Sequence, residues 1–134
     1  LTDILDAHDY DQNPETFKAR YLPLEAGENV VFPHYKQGGK VTFMSEFGGI
    51  WWNPNDLEHG WGYGNRPQSE EEFIERYRGL VTAMLENSAI GAFCYTQLTD
   101  VEQEVNGLYT YDRRPKFPPE IIRAINMQKA AIEE

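Results

Sequence analysis

The sequence predicts an α/β chain with parallel strands, and three observations carry that expectation. Short apolar runs at 2–8, 41–45 and 90–95 each lead, through a loop, to a segment with the chemistry of a helix start. No strong hairpin signal separates one element from the next. The order is therefore strand, helix, strand, helix, strand, helix, which implies parallel strands joined by right-handed crossovers. The 134 residues divide into three units of about 45 each, longer than the roughly 31 of a bare eight-unit barrel. The excess lies in the loops that follow the strands. Three parallel strands cannot close a barrel and leave both outer edges open, so residues 1–134 are expected to be part of a larger domain.

Each element has a local reason. Thr2–His8 reads as a strand with Ile4, Leu5 and Ala7 inside, ending at His8-Asp9-Tyr10. Asn13-Pro14-Glu15 starts a helix, with Asn13 as N-cap and Pro14 at the first helical position. Phe17, Tyr21 and Leu24 supply its apolar side. Pro23, Gly27 and Pro33 make the chain irregular until Val41. Val41–Ser45, after Gly38-Gly39, looks like a strand buried on both faces, as in a parallel sheet. Ser69-Glu70-Glu71-Glu72 is a capping box, and its acidic first turn suits the positive end of the helix dipole. Phe73, Tyr77, Leu80, Val81, Met84 and Leu85 then recur at helical spacing, and Asn87-Ser88 ends the helix. Ile90–Tyr95 reads as a second buried strand, with Cys94 as packing. Pro118-Pro119-Glu120 opens the last helix, whose apolar side is Ile121, Ile122, Ile125 and Ile132.

Composition narrows the function classes. A hydrophobic fraction of 40% and an aromatic fraction of 13% fit a folded protein. The net charge of -10 argues against nucleic acid, which wants clustered Lys and Arg, and against an anionic membrane surface. No apolar run approaches the roughly 20 residues of a membrane span. Leu1-Thr2-Asp3 lacks the basic-then-apolar character of a signal peptide, which favours a cytoplasmic setting. Cys94 is the single cysteine, so no internal disulfide forms.

Lys40–Trp52 is the stretch that points to chemistry. Its strand ends on Glu46 and breaks at Gly48-Gly49, which sets a carboxylate where strand opens into loop. Barrels of alternating strands and helices carry their chemistry at such strand ends. Trp51, Trp52, Trp61 and Tyr63 follow in the same loop, and flat rings stack on the apolar faces of sugars. The competing reading makes Glu46 a solvated strand end and the tryptophans core. His8-Asp9-Tyr10-Asp11 is a poor match to metal-ligand spacing, and Gly60–Gly64 has no following helix with a Lys to make a phosphate loop. No metal or other cofactor is implied.

Four ordered landmarks together resemble the last three strands of a family 2 glycoside hydrolase barrel. They are Asp3-Ile4-Leu5-Asp6-Ala7-His8-Asp9-Tyr10, Phe43-Met44-Ser45-Glu46-Phe47-Gly48-Gly49, Gly91-Ala92-Phe93-Cys94-Tyr95-Thr96-Gln97-Leu98-Thr99-Asp100, and Asn106-Gly107 through Arg113-Arg114-Pro115-Lys116. This is the family of β-galactosidases, β-glucuronidases and β-mannosidases. The resemblance implies the C-terminal β6–α8 portion of a (β/α)8 TIM barrel, about three βα units, within a larger multidomain enzyme. It implies exo-acting, retaining hydrolysis of terminal β-linked sugars through a covalent glycosyl-enzyme on Glu46. Tyr10 matches a tyrosine that orients the nucleophile; a core or rim aromatic is the other reading of it. Tyr95 stands where the family often has Trp as a platform for the sugar; with it, the loop aromatics Trp51 and Trp52 are expected as sugar-facing walls and His8 as a contact to a sugar hydroxyl. A strand-end histidine with no ligand is the other reading of His8.

Two departures matter. The family's acid/base carboxylate lies in an Asn-Glu dipeptide on the fourth strand, and this sequence contains no Asn-Glu. The proton donor is therefore expected from the rest of the barrel, the chain's first implied partner, and the chain alone is expected to be inactive. The family's glucuronidases read the uronate with Asn-x-Lys, whereas the corresponding stretch here is Glu104-Val105-Asn106. A neutral sugar follows, β-galactoside first. A non-catalytic carbohydrate-binding α/β protein is the alternative, and a small stand-alone α/β domain with an incidental Glu46 is the plainest rival. A homo-oligomer is compatible with any of these.

Overall fold

The computed structural model describes residues 3–31, 34, 39–56 and 58–133. Thr2, Pro33 and Gly38, which entered the sequence reading, lie outside them. The elements run β1 (Ile4–Asp9), α1 (Pro14–Tyr21), β2 (Val41–Gly48), α2 (Glu70–Leu85), β3 (Ile90–Thr96) and α3 (Pro119–Asn126), with 3-10 turns at Leu22–Ala26 and Ala131–Glu133. The strands form one parallel sheet in the order β1-β2-β3. The alternation of elements and the parallel pairing are as expected.

The helix starts follow the predicted chemistry. The Asn13 side chain accepts from the N–H groups of Glu15 and Thr16, and Ser69 accepts from Glu72. Glu72 reaches back as a capping-box residue should, but to the N–H of Gln68 at 2.7 Å rather than to that of the cap. On α2, Phe73, Tyr77, Leu80, Val81 and Met84 are buried; Leu85 is half-buried, and Ile74 and Ala83 join the buried face. Phe73 stacks on Phe117 at 4.2 Å between ring centres. The Tyr77 hydroxyl donates to Asn126 at 2.9 Å, tying α2 to α3.

Burial is one-sided among the described residues, whereas the sequence suggests strands covered on both faces. Leu5, Ala7, Thr42, Met44 and Phe47 are buried with the helices, whereas Ile4, Asp6, His8, Ala92 and Cys94 are exposed. Ile4 is thus outside, not inside, and Cys94 is not packing: its neighbours Phe93 and Tyr95 take the helix side. Ile132 also leaves the apolar side of α3, lying 42% exposed in the last 3-10 turn. The physical reason is that the core forms between the sheet and the helices on one face only, so period-two alternation leaves every second side chain open.

One irregularity in β2 sets up everything that follows. Ala7 pairs with Met44, but His8 pairs with Glu46, so Ser45 is an extra residue. β2 is also one residue longer than β3 over this stretch, where Met44 pairs with Phe93 and Phe47 with Tyr95. This is a β-bulge, which re-aims the side chains beyond it. Strict alternation would put Glu46 on the helix face beside Met44 and turn Phe47 outward. With Ser45 inserted, Phe47 is fully buried and Glu46 joins His8 on the open face. The Ser45 hydroxyl, also on that face, donates to Asp6.

The loops after the strands are held by a buried ion pair. Lys116 donates to Asp100 at 2.7 Å, to the Trp52 carbonyl at 2.5 Å and to the Val105 carbonyl at 3.3 Å. These three acceptors use all three ammonium hydrogens. The same Asp100 oxygen accepts from the Gly107 N–H at 2.8 Å. Burial pushes the Lys116 pKa down, opposed by the hydrogen bond to Asp100. Removing Asp100 alone strands a buried cation, so Asp100→Leu should cost about 3–5 kcal/mol. The double variant Asp100→Leu/Lys116→Met should be more stable than that single one, as urea unfolding of the longest native polypeptide containing the chain will show.

Candidate functional site

The expected carboxylate, phenol and imidazole meet on the open face at the C-terminal ends of β1 and β2. Tyr10, one residue past β1, donates its hydroxyl hydrogen bond to Glu46. The His8 Nδ1 lies 3.5 Å from the same carboxylate oxygen, with the two side chains 53% and 38% exposed. Glu46 is therefore accessible to a ligand while held from one side. The Tyr10 phenol is pushed up from its ordinary pKa, first by burial and then by the hydrogen bond to Glu46. It stays protonated, and so a donor, across the neutral range.

The Gly48-Gly49 break is required by what packs on it. Both glycines have positive φ, +83° and +56°, and a side chain at Gly48 would collide with the Tyr95 ring. One at Gly49 would collide with the rings of Tyr63 and Tyr10. The glycines thus let Tyr10 and Tyr63 stack at 3.6 Å between ring centres, 7° from parallel. Trp61 meets Tyr63 edge-on at 6.0 Å and is 47% exposed.

The aromatics divide differently from the sequence reading. Trp52 is 7% exposed and belongs to the core, so it is not a wall of the site. Tyr95 packs against Phe47 and Tyr77 on the helix side. Its hydroxyl donates to the Asn106 carbonyl at 2.9 Å and accepts from the Ile50 N–H at 3.1 Å. It too is withdrawn from the open face, because the alternation that exposes Cys94 turns Tyr95 inward. Trp51 is half-buried, its ring 5.9 Å from the Arg66 guanidinium. The rings joined to the Tyr10–Glu46 pair are Tyr63 and Trp61 instead. The sequence signal for them was present in Gly60-Trp61-Gly62-Tyr63-Gly64 but did not rank them above Trp51 and Trp52. Ladder-like bonds do: Tyr63 N–H to the Gly49 carbonyl at 2.8 Å, and Trp61 N–H to the Gln103 carbonyl at 2.8 Å.

A cleft of about 680 Å³ runs outward from Tyr10 between Gln12, Asn65, Glu72 and Arg76. Glu46 is not in its wall and lies on the open sheet face instead. His59 pairs with Asp56 at 2.9 Å on the surface, away from these contacts. Among the described residues no group of three or more His, Cys, Asp or Glu side chains is arranged to hold a metal ion.

The raised phenol pKa has a consequence for stability. A tyrosine whose folded pKa lies above its unfolded value of about 10 stabilises the fold below pH 10. That contribution is lost as pH rises through the interval above 10. Tyr21, Tyr77 and Tyr95 are raised in the same sense by burial. Stability should therefore fall steeply above about pH 10, and Tyr10→Phe should make the fall shallower, measured by urea midpoints across pH 8–11.

No protein-family model and no curated protein matches the sequence. Solved structures similar in fold include two β-glucuronidases. One is the Bifidobacterium dentium β-glucuronidase complexed with coumarin-3-O-glucuronide, at 17% identity and a TM-score of 0.62, covering 92% of this chain and 20% of that one. The other is the Faecalibacterium prausnitzii β-glucuronidase, at 17% identity and a TM-score of 0.57, covering 96% and 22%. The chain spans about a fifth of the length of each.

Proposed function

We propose that this chain is the β6–α8 segment of a (β/α)8 glycoside hydrolase and carries the nucleophile of a retaining β-glycosidase, Glu46. The observation that carries the reading is the Tyr10–Glu46 hydrogen bond at adjacent strand ends, on a face the helices leave open. The fold likeness to two β-glucuronidases supports it, as do the four sequence landmarks.

In this reading Glu46 attacks the anomeric carbon as the glycosidic bond breaks, giving a covalent glycosyl-enzyme that water later hydrolyses. Tyr10 orients the carboxylate, and His8 contacts a sugar hydroxyl. The second carboxylate, about 5–5.5 Å from the nucleophile in retaining enzymes, comes from the remaining strands of the same barrel. Those strands pair with the open edges of β1 and β3 and enclose the exposed side chains Asp6, His8, Ala92 and Cys94. Trp61 and Tyr63 take over from Trp52 and Tyr95 as the sugar-facing aromatics. The sugar is neutral, β-galactoside first. Asn106 is buried with its amide on the Glu104 carboxylate at 3.0 Å, and the buried Lys116 is already fully paired. That leaves the loop an unfavourable reader of a uronate.

The test is covalent. The longest native polypeptide containing the chain is incubated with 2-deoxy-2-fluoro β-glycosides of galactose, glucose, mannose and glucuronic acid, and the adduct is mapped by peptide mass spectrometry. Label on Glu46 with one sugar is the expected result, and label on another carboxylate overturns the assignment. Glu46→Gln should lose turnover by several orders of magnitude. Trp61→Ala should raise KM roughly two- to tenfold, the worth of one aromatic stack. The other reading is a carbohydrate binder that keeps the aromatic side chains but has lost the proton donor. Sugar binding without label from any glycoside would select it.

A further inference from the structure

The Gln12 side chain joins the two strand ends that meet at Glu46. Its Nε2 donates to the carbonyl of Tyr10 at 3.0 Å and to the carbonyl of Gly48. Tyr10 carries the phenol on Glu46, and Gly48 lies two residues beyond Glu46. One amide group therefore closes a ring that runs from Glu46 through Gly48, Gln12 and Tyr10 back to Glu46. The other end of the amide is also used, because Oε1 accepts from Arg76 Nη1 at 3.3 Å. These partners fix the amide orientation. Two carbonyls need donors and a guanidinium needs an acceptor, so a flipped amide would meet repulsion on both sides.

Gln12 is itself held. The Arg76 side chain is 13% exposed and paired with Glu72 at 2.8 Å, and it donates to the Asn65 carbonyl at 2.7 Å. Gln12 lies so close over Gly64 that any side chain there would strike it. The residues flanking Tyr10 are pinned separately: Arg20 bridges Asp9 and Asp11, and the Tyr21 hydroxyl donates to Asp9 at 2.8 Å. Those bonds keep the β1–α1 loop in shape. Gln12 adds a second cross-link from that loop to the strand end that carries the carboxylate, beside the Tyr10–Glu46 bond itself.

We propose that Gln12, backed by Arg76, is a positioning residue that sets the approach of the Tyr10 phenol to Glu46. The proposal rests on the glycosidase reading of Glu46 for its effect on rate, and on geometry alone for its effect on Tyr10. Gln12→Met keeps the volume and removes both donors and the acceptor. Gln12→Asn keeps the amide but shortens its reach by one methylene, and serves if the Met variant folds poorly. A misplacement of the order of 1 Å costs about 100-fold in rate.

The experiment measures two things in the longest native polypeptide containing the chain. The first is the rate of covalent labelling by the 2-deoxy-2-fluoro glycoside that reacts with the unsubstituted protein. The second is the alkaline midpoint of a fluorotyrosine at position 10, read by fluorine NMR. The substitution should slow labelling at saturating probe about 10- to 100-fold, with the half-saturating concentration changed less than about twofold. It should also bring the Tyr10 midpoint down, as the phenol loosens from Glu46. A labelling rate that stays while the protein reacts normally overturns the proposal, and so does an unmoved Tyr10 midpoint. If the unsubstituted protein takes no label but the midpoint drops, Gln12 positions Tyr10 and the glycosidase reading is what fails.

Discussion

The bulge at Ser45 is the constraint on which the site depends. Strand β2 has a hydrogen-bonded neighbour on each side, so its backbone has little freedom, and alternation fixes where each side chain points. A carboxylate in phase with Met44 would sit among the helices, where burial without a partner costs several kcal/mol. One inserted residue moves Glu46 to the open face and returns Phe47 to the core against Tyr77 and Tyr95. Stability and accessibility are thereby met by adjacent residues. The extra residue faces the same side as Glu46 and is occupied by a serine bonded to Asp6.

Around this point the chain separates its aromatic and charged side chains by the work they do. Trp52 and Tyr95 are absorbed in packing and in fixing loops, Tyr95 through both lone pair and hydrogen of its hydroxyl. Tyr10, Tyr63 and Trp61 form a continuous set of rings that begins at the carboxylate and ends in solvent. The long loops are kept in place by few but buried bonds. The Lys116 ammonium, with backbone bonds such as Trp52 N–H to the Val105 carbonyl at 2.9 Å, ties the loop after β2, the loop after β3 and the segment before α3 into one unit. Such a latch is costly to break from one side, because either charge left alone would be uncompensated in the core.

The surface left open is as informative as the core. A three-stranded parallel sheet with helices on one face exposes two edges and a polar-to-mixed inner face. Among the described residues no helix is long and apolar enough to cross a membrane. The open face holds Asp6, His8, Ser45 and Glu46 within a few residues of each other across two strands. Side chains of this kind are suited to a solvated face, and their enclosure by further strands is part of the proposal above.

The sequence by itself determined the local structure. Asn13 and Ser69 declare their helices because a cap is a contact within four residues, and Phe73 to Met84 declare a buried face because helical periodicity is local. The alternation of strand and helix was enough for parallel pairing, and the carboxylate at the end of a strand before two glycines marked Glu46. Which way that carboxylate points was not legible. It depends on a bulge defined only by strand pairing: Met44 pairs with Ala7 and Glu46 with His8, which leaves Ser45 without a partner in β1. The fate of the tryptophans was equally a tertiary matter, since Trp51, Trp52 and Trp61 sit in one loop and differ in what folds over them. Local chemistry is written in adjacent residues; the choice of face is made by contacts that exist only after the strands have paired.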